Sequence, residues 1–161
     1  MEYSRAQRTG LILLRLFIGW HFLYEGILKV LNPSWTAQGY LMSSQGFFKS
    51  FFTWLGSDGM IGITDSLNIA LLIIVGLTLI LGIFEKFGAA AGAILLLLFY
   101  LSHPAFPGMP QGPAEGSYYI INKNLIEMAA LIVLYNFNTS QVFGLKMLLG
   151  KKEGKIAASA A

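Results

Sequence analysis

Four long stretches of apolar residues decide what this chain can fold into. A helix needs about 20 mostly apolar residues to cross the hydrocarbon core of a bilayer. Only 12% of the residues are charged, against roughly 25% in a soluble domain, so too few polar side chains remain to give these stretches a water-facing surface. The sequence therefore predicts an all-α integral membrane four-helix bundle, with spans at residues 9–31, 65–84, 87–103 and 118–137.

The length and the lack of cysteine limit the organisation and the chemistry of the chain. With 161 residues, the sequence predicts one four-span membrane domain over residues 1–150, followed by a disordered Ala/Ser-rich tail at 151–161. A chain with no cysteine has no disulfide framework, thiolate metal site or thiol redox centre of its own. Any sulfur chemistry would therefore require a partner chain, a cofactor or polar side chains.

Positive charge is concentrated at the two ends of the chain. Arg5 and Arg8 precede the first apolar stretch, and four lysines follow the last one, at positions 146, 151, 152 and 155. Lysine and arginine accumulate on the cytoplasmic side of a membrane, so both termini are predicted to be cytoplasmic in a multi-pass protein of the cell (inner) membrane. Four spans, an even number, place both termini on the same side of the membrane. Glu85-Lys86 then forms a short turn on the cytoplasmic side. The net charge of +3 is assigned to this topology, and no nucleic-acid partner is expected.

Two longer loops then lie on the outer side. The first, residues 32–64, contains the aromatic run Phe47 to Trp54, and helical spacing would place most of its rings on one face. Tryptophan and phenylalanine favour the headgroup level, so this run is predicted to form an interfacial helix. The second loop, residues 104–117, holds four prolines and three glycines, a composition that excludes regular structure.

Polar side chains interrupt the apolar stretches, and inside a membrane such residues mark function by default. Those of the first stretch fall within roughly 120° of the helix circumference, and all but Arg15 fall in the outer half of the membrane. The sequence therefore predicts a polar pocket that opens outward. Its candidate residues are Arg15, His21, Glu25 and Lys29 in the first stretch, Asp65 and Asn68 in the second, Tyr100 and His103 in the third, and Lys123 and Glu127 in the fourth.

A purely structural interpretation of these residues stays open. Glu25 with Lys29, and Glu127 with Lys123, have the i, i+4 spacing of helical ion pairs, and both lysines can extend to the headgroups. Asp65 can equally be the N-cap of the second span. Under this interpretation the polar residues only order the bundle.

Metal and nucleotide sites receive little support from the sequence. His21, Glu25, His103 and Glu127 are chemically suitable metal ligands, but the chain has neither an HExxH motif nor a Glu-x-x-His pair, which bundle metal sites use. No metal is therefore assigned. The glycines within the spans are interpreted as points where helices pack closely, among them Gly19, Gly26, Gly76 and Gly82.

A resemblance to a known family begins in the first stretch. Residues Arg15–Lys29 resemble the first span of the DoxX/DoxD family, in which an arginine is followed by a glycine four residues on and then by a glycine and a lysine three apart. The segment Asn32-Pro33-Ser34-Trp35, followed by Gly39-Tyr40-Leu41, is similar to the DoxD-like branch. The resemblance extends to Leu149 through Leu67-Asn68-Ile69, Gly76–Gly82, Tyr100-Leu101-Ser102, Asn122–Glu127 and Phe143-Gly144-Leu145.

The resemblance implies a membrane subunit of a thiosulfate:quinone oxidoreductase that works with a separate second redox subunit. Its cofactor would be a quinone whose tail enters the apolar bundle. His21 and Glu25 are the candidate catalytic proton carriers, and the other eight candidate residues would bind the quinone or a sulfur oxyanion. Two alternatives stay open, a non-catalytic scaffold for a redox or detoxifying partner and, less favoured, a small transporter. Whether the chain is an enzyme at all, and whether it forms a homo-oligomer, are also open.

Overall fold

The structure is a computed structural model that describes residues 4–109, 119–137 and 139–145. Within these residues the chain is helical and has no strand. The predicted tail at 151–161, the four C-terminal lysines and residues 110–117 of the second loop lie outside the described residues. The helices are α1 (Arg5–Leu31), α2 (Gln38–Met42), α3 (Lys49–Leu55), α4 (Ile61–Leu81), α5 (Glu85–Ser102) and α6 (Lys123–Asn136), and a 3₁₀ turn follows at Thr139–Gln141.

Side-chain caps set where the first and last helices begin. The Ser4 hydroxyl accepts a hydrogen bond from the Gln7 N–H at 3.2 Å, and the Gln7 side chain accepts one from the Ser4 N–H at 2.8 Å, which is the reciprocal capping box. The Asn122 side chain likewise accepts a hydrogen bond from the Leu125 N–H at 3.2 Å, so α6 begins at Lys123.

Three of the helices in the described residues are long and apolar enough to cross a membrane, namely α1, α4 and α5. They match the first three predicted spans, although all three begin a few residues before the predicted start. The fourth predicted span corresponds to α6, which has 14 residues, fewer than the about 20 that crossing requires. The four-span topology and the cytoplasmic placement of both termini therefore stay predictions.

One apolar core joins the long helices. Helix α1 packs along α4, α4 packs on α5, α5 packs on α6, and α6 returns to α1. The apolar side chains on the opposite faces, such as Phe17, Leu67 and Ile94, are exposed, as expected for helices surrounded by lipid. The core consists of Ile18, Phe22, Leu72, Val75, Leu79, Ala89, Leu95, Leu96, Leu131 and Leu134.

The predicted aromatic run in the first loop forms α3. Phe52 is buried and anchors the helix, whereas Phe48, Phe51 and Trp54 are exposed. Phe47, which precedes α3, is 95% exposed. This distribution gives α3 one buried face and one aromatic face, and its location at the headgroup level stays a prediction.

Helices α1 and α4 approach each other closely at Gly76. A Cβ atom on Gly76 would lie 2.6 Å from the backbone nitrogen of Leu23 and 2.7 Å from its Cα. Gly26 makes a similar approach from α1, since its Cβ would lie 3.2 Å from the Ile73 nitrogen. Small residues allow such backbone contact between membrane helices, which confirms the interpretation of these glycines.

We expect Gly76→Ala to destabilise the protein, because the added methyl group meets the α1 backbone and not a flexible side chain. Such overpacking costs about 1–3 kcal/mol, and the thermal unfolding midpoint in detergent should fall accordingly. Gly62→Ala is the matched control, since Gly62 also lies in α4 but has no atom within 4 Å of its Cβ position. Equal midpoints for the two variants would contradict the close approach.

Candidate functional site

A cleft of about 410 Å³ lies among the four long helices, near the ends of α1 and α5 and the starts of α4 and α6. Its polar lining comprises His21, Glu25, Lys29, Asn68, Lys123 and Asn124. Its apolar and aromatic lining includes Phe22, Trp35, Tyr40, Leu72, Leu96 and Phe99. We call this site the polar cleft. Five of the ten candidate residues therefore line one cavity, namely His21, Glu25, Lys29, Asn68 and Lys123.

Glu25 and Lys29 form an ion pair on one side of the cleft. Their i, i+4 spacing places both on the same face of α1, and Lys29 Nζ lies 2.7 Å from Glu25 Oε2. The same ammonium lies 5.2 Å from the centre of the Trp35 ring, close enough for a cation–π interaction. This pair is one of the two i, i+4 pairs that the purely structural interpretation of the sequence predicts.

His21 pairs with Glu127 across the cleft, which joins α1 to α6. Nδ1 of His21 lies 2.8 Å from Oε1 of Glu127. Because an ionised carboxylate only accepts hydrogen bonds, the ring proton lies on Nδ1, and Nε2 is the nitrogen that can exchange a proton with a ligand. The sequence placed Glu127 in the site but suggested Lys123 as its partner, since contacts between helices cannot be read from spacing along one helix.

Three candidate residues act outside the cavity, where they hold segments around it. Asp65 Oδ1 accepts a hydrogen bond from the Ala37 N–H at 2.9 Å, and Ala37 lines the cleft. Asp65 is not the N-cap of its helix, because α4 begins at Ile61. The Tyr100 hydroxyl donates to the Ile120 carbonyl at 2.8 Å. The His103 ring lies 4.2 Å from the ring of Tyr40.

Arg15 lies apart from the cleft, in a cluster at the opposite end of the bundle. Its side chain is completely buried. Nη1 donates to Glu85 Oε2 at 3.1 Å and to Thr139 Oγ1 at 2.9 Å, and Nη2 donates to the Phe143 carbonyl at 2.7 Å. The expectation that Arg15 belongs with His21, Glu25 and Lys29 on one functional face is therefore not met, because both of its Nη atoms donate to groups outside the cleft.

Glu85 completes this cluster and was treated in the sequence only as part of a short turn. Its carboxylate accepts hydrogen bonds from the Thr139 hydroxyl at 2.7 Å, from the Ser140 N–H at 2.9 Å and from the Ser140 hydroxyl at 2.8 Å. A signal for Glu85 was present, since a buried arginine needs a carboxylate and the predicted topology places the start of α5 on the same side as the first half of α1. We call Arg15, Glu85, Thr139, Ser140 and Phe143 the Arg15 cluster.

The DoxX family model matches residues 10–104, which is more than half of the chain. The chain belongs to the DoxX family. The matched residues include Arg15, Glu85 and most of the residues that line the polar cleft. Helix α6, which forms one wall of the cleft in this DoxX protein, lies after the matched residues. No curated protein and no solved structure matches the chain.

We expect Arg15→Gln to destabilise this DoxX protein strongly, because it leaves the Glu85 carboxylate buried without its cation. Breaking one partner of a buried ion pair costs about 3–5 kcal/mol. The free energy of unfolding in detergent measures the loss, and Arg5→Gln, which removes an exposed arginine from the same helix, is the control.

A double-mutant cycle tests whether the pair is the cause. We expect the double variant Arg15→Gln, Glu85→Gln to be less destabilised than the sum of the two single variants, since it leaves no charge unpaired. Additive losses would contradict direct coupling between Arg15 and Glu85.

Proposed function

We propose that this DoxX protein is a membrane subunit of a quinone-linked oxidoreductase of the thiosulfate:quinone type, and that the polar cleft receives the quinone ring. The observation that carries the proposal is that His21, which contacts Glu127 at 2.8 Å, lines the same cavity as aromatic and aliphatic side chains. A cavity of about 410 Å³ falls within the range of small-molecule sites. The sequence resemblance supports the same reaction class.

The residues of the cleft fit a quinone in both polarity and shape. Trp35, Tyr40 and Phe99 would flank a flat ring, and the apolar floor formed by Phe22 and Leu72 leads into the bundle. When bound, a quinone accepts two electrons and two protons. In this proposal the electrons reach it from a second redox subunit, since this chain has no thiol of its own to supply them.

His21 would supply the proton in this proposal. Its Nε2 is the ring nitrogen available to a ligand, and Glu127 stabilises the protonated ring through Nδ1. The carboxylate of Glu25 lies one helical turn away on the same face of α1 and is the candidate that returns a proton to His21. Lys29 Nζ lies 2.7 Å from this carboxylate and would hold it in place beside the cleft.

A non-catalytic scaffold is the second candidate. The observation that favours it is that His21 pairs with Glu127 and that Glu25 pairs with Lys29, so that these four side chains satisfy one another without a ligand. Under this function the cleft only joins α1 to α6, and the protein anchors a redox partner in the cell membrane. With cytoplasmic termini, the cleft would face outward under either candidate.

Native mass spectrometry of the protein released from its own membranes distinguishes the two candidates, because one spectrum detects both a quinone and a protein partner. We expect bound quinone. A protein partner bound without quinone would favour the scaffold and contradict the quinone site.

We expect His21→Gln and Glu25→Gln to lower the quinone reduction of the isolated complex by at least about a hundredfold, the usual size of a lost acid–base group, while the protein stays folded. Asp58→Asn is the control, since it removes a carboxylate that is exposed and does not line the cleft. Full activity in His21→Gln would exclude the proton-carrying role.

A further inference from the structure

An unsatisfied polar atom lies at the wall of the polar cleft. Oδ1 of Asn68 is buried and has no hydrogen-bond partner among the described residues, and Asn68 lines the cavity. A buried acceptor without a donor costs free energy, and such groups usually have a partner that is supplied by protein, water or ligand. The site therefore lacks a hydrogen-bond donor at this position.

Nε2 of His21 is a second acceptor in the cleft that can receive a hydrogen bond from a ligand. The Glu127 carboxylate holds a ring proton of His21 on Nδ1 at 2.8 Å, so the ring presents Nε2 as a lone pair once that nitrogen has given up its proton. Lys29, on the same helix as His21, already donates to Glu25 and lies over the Trp35 ring. Two acceptors of the chain, on α1 and α4, are thus left for a ligand that donates.

We infer that the polar cleft binds the reduced, dihydroxy form of its ring ligand more tightly than the oxidised form. This inference rests on the proposed function and adds to it the redox state that the cavity prefers. The carbonyl oxygens of a quinone only accept hydrogen bonds, so a carbonyl next to Asn68 Oδ1 would place one acceptor against another. The two hydroxyl groups of a quinol donate, and a site with unpaired polar groups discriminates strongly between such ligands.

Calorimetric titration of the purified full-length protein in detergent, under anaerobic conditions, tests the inference. The probes are a short-chain benzoquinone and the corresponding benzoquinol. We expect the Kd of the quinol to be about tenfold lower, the effect of one well-formed hydrogen bond. Asn68→Leu should weaken quinol binding by about the same factor and leave quinone binding nearly unchanged.

Two further variants separate the loss of the acceptor from damage to the fold. Asn68→Asp keeps an acceptor at the same position and should keep the preference for quinol. Asn136→Leu makes the same change at an exposed asparagine of α6 that does not line the cleft, and both affinities should stay as in the unmodified protein. The unfolding midpoint of each variant shows whether it is folded.

The outcomes distinguish this inference from the proposed function. Equal affinities for the two forms, or tighter binding of the quinone, would overturn the preference and leave the quinone site in place. An equal loss of both affinities in Asn68→Leu would also overturn it. Failure of both probes to bind the unmodified protein would overturn the proposed function and the inference together.

Discussion

A charge that enters the apolar interior of this protein needs a partner, and three pairs among the described residues meet that requirement. Arg15 pairs with Glu85, Glu25 with Lys29, and His21 with Glu127. Two of the three join helices that are distant in the sequence, α1 to α5 and α1 to α6. The register of the helices therefore depends on these polar contacts as well as on the core, since lipid is as apolar as the helix faces and provides little force that selects one register.

The two ends of the bundle use their charges differently. At the Arg15 cluster the side chains of Arg15 and Glu85 are 0% and 7% exposed, and hydroxyl and backbone groups satisfy the carboxylate. At the polar cleft the side chains of His21 and Glu25 are 53% and 46% exposed. Burial with many partners makes a charge structural, whereas a charge that still faces a cavity keeps the capacity to interact with a ligand.

The sequence predicted the helical class, the first three spans and five of the polar residues that line the cleft, because apolar length and helical spacing are local properties. It did not predict the contacts between helices. The His21–Glu127 pair and the role of Glu85 both depend on which helices are neighbours, and spacing along one helix does not contain that information. The start of α6 was also missed, since the cap at Asn122 interrupts an apolar stretch that hydropathy alone continues.

The Arg15 cluster also constrains the order in which the chain can be inserted into the membrane. Arg15 belongs to the first helix to be synthesised, yet its carboxylate partner follows 70 residues later and its hydroxyl partner 124 residues later. A guanidinium without a counterion is costly at the centre of a bilayer. We therefore expect α1 to settle at its final depth only after α5 and the segment that contains Thr139 have emerged, so that the later part of the chain completes the placement of the first helix.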